Sequence, residues 1–178
     1  MLANKTVILG ITGSIAAYKA ADIASKLTQA GARVEVVMTE SATKFIAPLT
    51  LRSITSRPVV TDMFELASEF NLEHIALAEA ADVVAIAPAT ACIIAKLAVG
   101  ISDDMLTCIV LATEAPVILA PAMHVNMFQN PITQDNLTKL KARGFTIVEP
   151  AYGRLASGKV GLGRLAEVDK IIATISQV

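Results

Sequence analysis

A doubly wound α/β fold, one parallel sheet with helices on both faces, is what the sequence predicts, and three observations lead there. Short β-rich apolar runs alternate along the chain with longer segments of helical period. The runs are continuously hydrophobic rather than alternating, as strands are when both of their faces are buried. Apolar residues make up 54% of the 178, enough for a two-sided core around one sheet and within the size of one domain, so residues 1–178 are expected to form a single domain without a linker.

Residues 6–11 read as the first strand, residues 16–29 as the helix behind it and residues 34–38 as the second strand. Residues 82–87 form the next buried run, residues 90–99 a helix, and residues 116–120 another strand. A helix over 131–142 and a short strand over 146–148 come next, and residues 168–176 close the domain as a helix. Neither an internal repeat nor a low-complexity tract interrupts this βαβα order. The expected architecture is a three-layer, Rossmann-like or flavodoxin-like sandwich, whose ligands sit beyond the carboxyl ends of the strands. That rule singles out the segments just after Ile11, Met38, Ala87 and Ala120.

Composition narrows the classes. Lys19, Lys26, Asp82, Lys96 and Glu114 break the richest apolar regions, so no run reaches the roughly 18 residues of a membrane span. Between Met1 and Thr6 only Lys5 is charged, and the segment runs straight into a strand, unlike a signal peptide, which favours the cytoplasm. A net charge of −1 without a basic cluster argues against a nucleic-acid partner. Cys92 and Cys108 both fall in apolar, helical-looking segments and are expected to be buried free thiols; no metal set is expected. Only 17% of residues are charged and 4% aromatic, leaving little polar surface for a monomer, so excess apolar surface should be covered between subunits.

Four segments carry candidate chemistry. Gly10-Ile11-Thr12-Gly13-Ser14 leaves a strand and opens a helix, which aims backbone N–H groups at an anion, or else is a tight turn with Ser14 as helix cap. The Gly-x-Gly-x-x-Gly spacing is absent and no acidic residue ends the second strand, so one phosphate suits this loop better than a dinucleotide. Thr39 and Ser41, with Phe45 beyond them, place hydroxyls and an aromatic at the same sheet edge, where they also suit a helix cap. Pro88-Ala89-Thr90-Ala91-Cys92 offers small residues that let a flat ring approach, or ordinary punctuation before a helix. Pro121-Ala122-Met123-His124-Val125-Asn126-Met127 ends the fourth run, and residues 153–167, Gly-Arg-Leu-Ala-Ser-Gly-Lys-Val-Gly-Leu-Gly-Arg-Leu-Ala-Glu, lie beyond the last strand.

In order and spacing these motifs resemble the homo-oligomeric flavin-containing cysteine decarboxylases over nearly the whole chain, most closely the branch acting on 4'-phosphopantothenoylcysteine in coenzyme A biosynthesis. The resemblance implies a flavoprotein in which Gly13, Ser14, Ile15, Thr39, Ser41, Phe45, Thr90, Ala91, Cys92 and Ala122 contact FMN. It makes His74 the active-site base, although a lone histidine before an apolar run is otherwise structural. It places His124, Met123, Arg154, Ala156, Lys159 and Leu165 around the substrate, with Lys159 and Arg164 as sources of phosphate charge unless they are solvated loop cations. Implied partners are a small-molecule thiol, further copies in a trimer or dodecamer, and a phosphopantothenate–cysteine ligase, fused or separate. The implied chemistry is flavin oxidation of the substrate's CH₂–SH, loss of CO₂ from the thioaldehyde, and re-reduction to a saturated thiol.

Three positions depart from the commonest family pattern. His124 stands where an asparagine holds the substrate carboxylate, a task that imidazolium can perform with charge assistance. Ser157 stands where many members carry the cysteine that donates the last proton, and a hydroxyl is a far weaker acid. Cys92 takes the place of a frequent asparagine. Three other functions compete: an oxidative peptide-cysteine decarboxylase, which Ser157 suits but residues 153–167 do not; a prenyl-transferring flavoprotein, which wants more aromatic and basic residues; and a non-catalytic regulatory flavoprotein, which commonly carries a long acidic tail.

Overall fold

Continuous apolar strands can be satisfied only between two helical layers, and that arrangement is observed. In the computed structural model, residues 2–64 and 73–178 are described. Strands β1 (Thr6–Ile11), β2 (Arg33–Met38), β3 (Val59–Val60), β4 (Val83–Ala89), β5 (Val117–Pro121) and β6 (Thr146–Ile147) form one parallel sheet in the order β3-β2-β1-β4-β5-β6. All seven residues of β4 and the last five of β1 are buried. Along β1 the pleat sends Val7 and Leu9 to one face and Ile8 to the other.

Helices α1 (Ala20–Gln29), α2 (Pro48–Thr55) and α8 (Val168–Ile175) cover the first face through Ile23, Leu27, Leu51 and Ile171. Helices α3 (Glu73–Ala80), α4 (Ala91–Val99), α5 (Met105–Ala112) and α7 (Pro131–Ala142) cover the second through Ala78, Ile94, Ile109 and Leu140. Burying one such Ile or Leu side chain contributes about 1.5–3 kcal/mol. Gly10 lets α5 press onto β1: a Cβ there would stand 2.6 Å from Leu106 Cδ1 and 3.2 Å from Ile86 Cγ1. The three-layer architecture expected from the sequence is therefore present.

Several elements differ from the expectation. The segment 16–29 divides into a 3₁₀ turn, Ile15–Lys19, and α1. Helices α2, α3 and α5, strand β3 and the four-residue α6 (Val125–Phe128) are additional; none is longer than eight residues, which leaves a periodic pattern little to show. Residues after β6 form an antiparallel hairpin of β7 (Ala151–Arg154) and β8 (Val160–Arg164). The expectation of buried cysteines is corrected: Cys92 is exposed and Cys108 half-buried. Cys92 lies in the first turn of α4, whose inward face is taken by Ile93, Ile94, Leu97 and Ala98, so its thiol faces away from the core.

Candidate active site

The strand order reverses between β1 and β4, the place where an open parallel sheet parts into a ligand crevice. Thr12 staples the two strand ends there. Its hydroxyl, 2% exposed, donates to Pro88 O at 2.7 Å and accepts the Thr90 N–H at 3.1 Å. Thr90 in turn caps α4, its hydroxyl accepting the Ile93 N–H at 3.3 Å.

Above the staple lies a cleft of about 1060 Å³, at the upper end of the usual size for a small-molecule site. Gly13, Ser14 and Ile15 line it from β1, Thr39 and Ser41 from β2, and Thr90, Ala91 and Cys92 from β4. The β1 and β2 loops touch, because a Cβ on Gly13 would come within 2.5 Å of Ser41 Cβ. Ser14 does act as a cap, its hydroxyl accepting the Ala16 N–H at 3.2 Å, and Thr39 accepts the Ala42 N–H at 3.3 Å. Ser41 makes no such cap bond, which leaves its hydroxyl for a ligand. Two 3₁₀ turns therefore open beside each other, with a backbone N–H and a free hydroxyl able to hold an anion.

The far wall is built from the β5 loop and the hairpin. Ala122 N–H donates to Ala89 O at 3.0 Å, and Met123 N–H donates to Gly163 O at 2.9 Å. Gly163 has φ +152, and a Cβ there would meet Met123 O at 2.4 Å, so only glycine allows β8 to seat on this loop. His124 is the N-cap of α6: Asn126 N–H donates to its Nδ1 at 3.2 Å. With Nδ1 accepting, Nε2 is the ring nitrogen left to donate on the cleft wall. Met123, Arg154, Ala156, Ser157 and Leu165 line the cleft as well.

Sequence reasoning missed the electrostatic floor. Lys96 faces the cleft four residues after Cys92 and pairs with Asp103 at 2.7 Å and Asp104 at 3.7 Å. The hydrogen bond to Asp103 raises the ammonium above its ordinary range, with burial opposing and both carboxylates adding attraction, so Lys96 stays cationic. The same-face spacing of Cys92 and Lys96 was the only signal available in the sequence. Tyr18, 61% exposed, and Met127, 49% exposed, give the mouth an apolar rim.

Three sequence candidates lie off the cleft of the single chain. Phe45, 48% exposed, and His74, half-buried on α3, are not among its lining residues, and Lys159 stands exposed beyond the hairpin turn. Arg164 does line it, paired with Glu167; its Nε is buried and, among the described residues, has no partner.

A family model described as Flavoprotein matches residues 1–178. The coenzyme A biosynthesis bifunctional protein CoaBC of Vibrio vulnificus (strain YJ016) is 47% identical over 176 residues, 99% of this chain and 44% of the relative. The chain thus spans less than half the length of the curated relatives it matches. Among solved structures, a cysteine-to-serine variant of a PPC decarboxylase, complexed with pantothenoylaminoethenethiol, superposes with a TM-score of 0.89 at 34% identity, covering 98% of this chain and 97% of that one. The FMN-binding protein AtHal3 gives 0.86 at 33% identity, covering 98% and 96%.

Proposed function

The chain belongs to the flavoprotein family, and from that premise we propose that it is an FMN-dependent decarboxylase converting 4'-phosphopantothenoylcysteine to 4'-phosphopantetheine. The observation that carries the reading is one cleft, at the β1/β4 switch point, that joins an anion-binding double loop to a wall presenting the His124 N–H. Residues 1–178 act as a single FMN-binding domain. The structural relatives named for FMN and for a decarboxylated thiol support the cofactor and the substrate class.

The lining fits FMN. Gly13 brings the β1 and β2 loops together around room for one phosphate, with the Ser41 hydroxyl beside it, and the small Ala91 and Ala122 leave space for a flat ring. When bound, FMN supplies the electron sink that turns the substrate thiol into a carbon–sulfur double bond β to the carboxylate. His124 holds that carboxylate through Nε2–H, and Met123 packs beside it. Arg154, Ala156 and Leu165 cover the pantothenoyl arm, while Arg164 and the more distant Lys159 attract its phosphate. The base is His74, which lies off the cleft of its own chain and so acts on the cleft of another copy. That arrangement calls for a homo-oligomer, a trimer or a dodecamer of trimers, with Phe45 at the shared boundary.

The bifunctional relatives support a ligase partner, fused or separate, that delivers the thiol, and the reaction is placed in the cytoplasm as part of this reading. No helix among the described residues is long and apolar enough to cross a membrane. Anaerobic incubation of the FMN-loaded protein with phosphopantothenoylcysteine tests the reading, with flavin absorbance and product mass followed together. CO₂ release with recovery of 4'-phosphopantetheine is expected; flavin that never bleaches would sink the proposal.

A further inference from the structure

We infer that the Cys92 thiol donates the proton that completes the reductive half of this reaction, a task for which Ser157 is unsuited. The inference rests on the decarboxylase reading and names a residue within the same cleft.

Loss of CO₂ leaves an enethiolate, two hydrogens short of the saturated product. The carbon that carried the carboxylate needs a proton, and its neighbour, bonded to sulfur, needs a hydride. In the balanced step the Cys92 S–H bond breaks and a C–H bond forms at the first carbon. The C=C pair forms that C–H bond while a lone pair on the thiolate sulfur makes C=S, and hydride from the dihydroflavin generated in the oxidative half then adds at the second carbon. The product is the saturated thiolate with oxidised flavin, and Cys92 regains its proton from water. Acidity then decides the donor: a thiol near pKa 8.5 releases a proton at neutral pH far more readily than a serine hydroxyl.

Geometry reduces the alternatives. Ser157 lines the cleft but offers only a hydroxyl. Lys159 is exposed and off the lining. Lys96 is committed to Asp103 and Asp104, which hold its proton. His124 accepts the Asn126 N–H at Nδ1, and an N–H that shares its ring with an accepting nitrogen is a far weaker acid than a thiol. Cys108 is absent from the lining and contacts Ser102 O at 3.6 Å. Cys92 is the one thiol on the cleft among the described residues, exposed in the first turn of α4 next to Thr90 and Ala91. Lys96 stands one turn along the same face of α4 and lines the same cleft. The exposure of Cys92, against the burial that its apolar surroundings suggested, thus has a chemical use.

The test is anaerobic single turnover of the FMN-loaded protein with phosphopantothenoylcysteine in wild type, Cys92→Ser and Cys92→Ala, with Cys108→Ser as control. Wild type and Cys108→Ser should bleach and then recover flavin colour, releasing saturated thiol. Both Cys92 variants should bleach normally but form saturated thiol at least ~10²-fold more slowly, as loss of a general acid predicts. They should retain an enethiol lighter by the mass of two hydrogens. Adding Ser157→Cys to Cys92→Ser should restore recovery. Independently of turnover, iodoacetamide should alkylate Cys92 ahead of Cys108 in FMN-free protein, and the enethiol product added with FMN should protect it. Cys92 variants that finish the cycle at the wild-type rate overturn the inference while leaving the decarboxylase intact, as does a Cys92 whose labelling ignores FMN and product. A wild type that itself stops at the enethiol also overturns it, whereas wild-type flavin that never bleaches removes the parent reading.

Discussion

Replacing Thr12 with valine should damage the protein at the point where its sheet opens. Valine matches threonine in shape but lacks the oxygen that donates to Pro88 O at 2.7 Å and accepts from Thr90 N–H at 3.1 Å. With Thr12 only 2% exposed, water cannot replace it. A buried carbonyl left unpaired costs about 1–3 kcal/mol, and the less buried Thr90 N–H adds about 1 kcal/mol, so the loss should be roughly 2–4 kcal/mol. At about 2–4 °C per kcal/mol for a chain of this size, that corresponds to a fall of roughly 5–15 °C in melting temperature. Thr12→Ser keeps the oxygen and should lose only about 1 kcal/mol for its methyl group. Urea unfolding of FMN-free protein measures the stability, and flavin fluorescence quenching reports FMN affinity. Because the staple also sets Thr90 and the start of α4, FMN binding should weaken in Thr12→Val and persist in Thr12→Ser. A valine variant within about 0.5 kcal/mol of wild type, with unchanged FMN affinity, would refute the staple.

Three further outcomes are expected. His124→Leu removes both the α6 cap and the carboxylate donor, so KM for phosphopantothenoylcysteine should rise about 10- to 100-fold while FMN stays bound; His124→Asn, which keeps a cap acceptor and an N–H donor, should stay close to wild type in steady-state kinetics. His74→Asn should bind FMN yet fail to bleach it with substrate, and mixing it with a Gly13→Val protein should restore bleaching if His74 serves a neighbouring copy's cleft, as stopped-flow absorbance of mixed oligomers would register. Glu35 is 8% exposed; burial pushes its carboxyl up, but the guanidinium groups of Arg57 and Arg33 prevail and hold it below the ordinary 4.5. Its stabilisation is therefore present above that value and lost as pH falls through the lower folded one, so Glu35→Gln should cost about 1–3 kcal/mol near pH 7, and denaturant titrations should show the gap to wild type closing as the pH falls below the ordinary carboxylate range.

Much of the fold was legible because burial on both faces leaves a strong local trace. The runs in β1, β4 and β5 carry hardly a polar residue, and Pro131 and Asn130 mark the start of α7 unmistakably. Strand β3 and helix α6 left no such trace. Val59–Val60 joins the sheet only by pairing with Val36 and Val37, a partnership distant in sequence. Helix α6 is held by the His124 cap and by β8 seated across it through Gly161 and Gly163, contacts that depend on the hairpin having already folded back. In both cases tertiary contact supplies what propensity does not.

The same distinction separates the parts of the candidate site. Residues just beyond the strand ends, such as Gly13, Thr39, Thr90 and Ala122, could be located because the parallel topology itself sends every carboxyl end to one edge. Cys92 could not be placed that way, since its environment depends on which side of α4 faces the sheet. The apolar sequence of α4, Ala-Cys-Ile-Ile-Ala-Lys-Leu-Ala-Val, offers hydrophobic residues all round and so does not declare that face. What fixes it is the Thr90 cap, which sets where the helix begins, together with Gly10, which lets α5 approach β1 and occupy the neighbouring space. With Ile93, Ile94 and Leu97 turned inward by those two constraints, Cys92 and Lys96 are left on the cleft side, one turn apart. A thiol hidden by composition is thereby placed beside a cation in the site where Ser157 supplies none, and the placement comes from packing rather than from any motif around the cysteine.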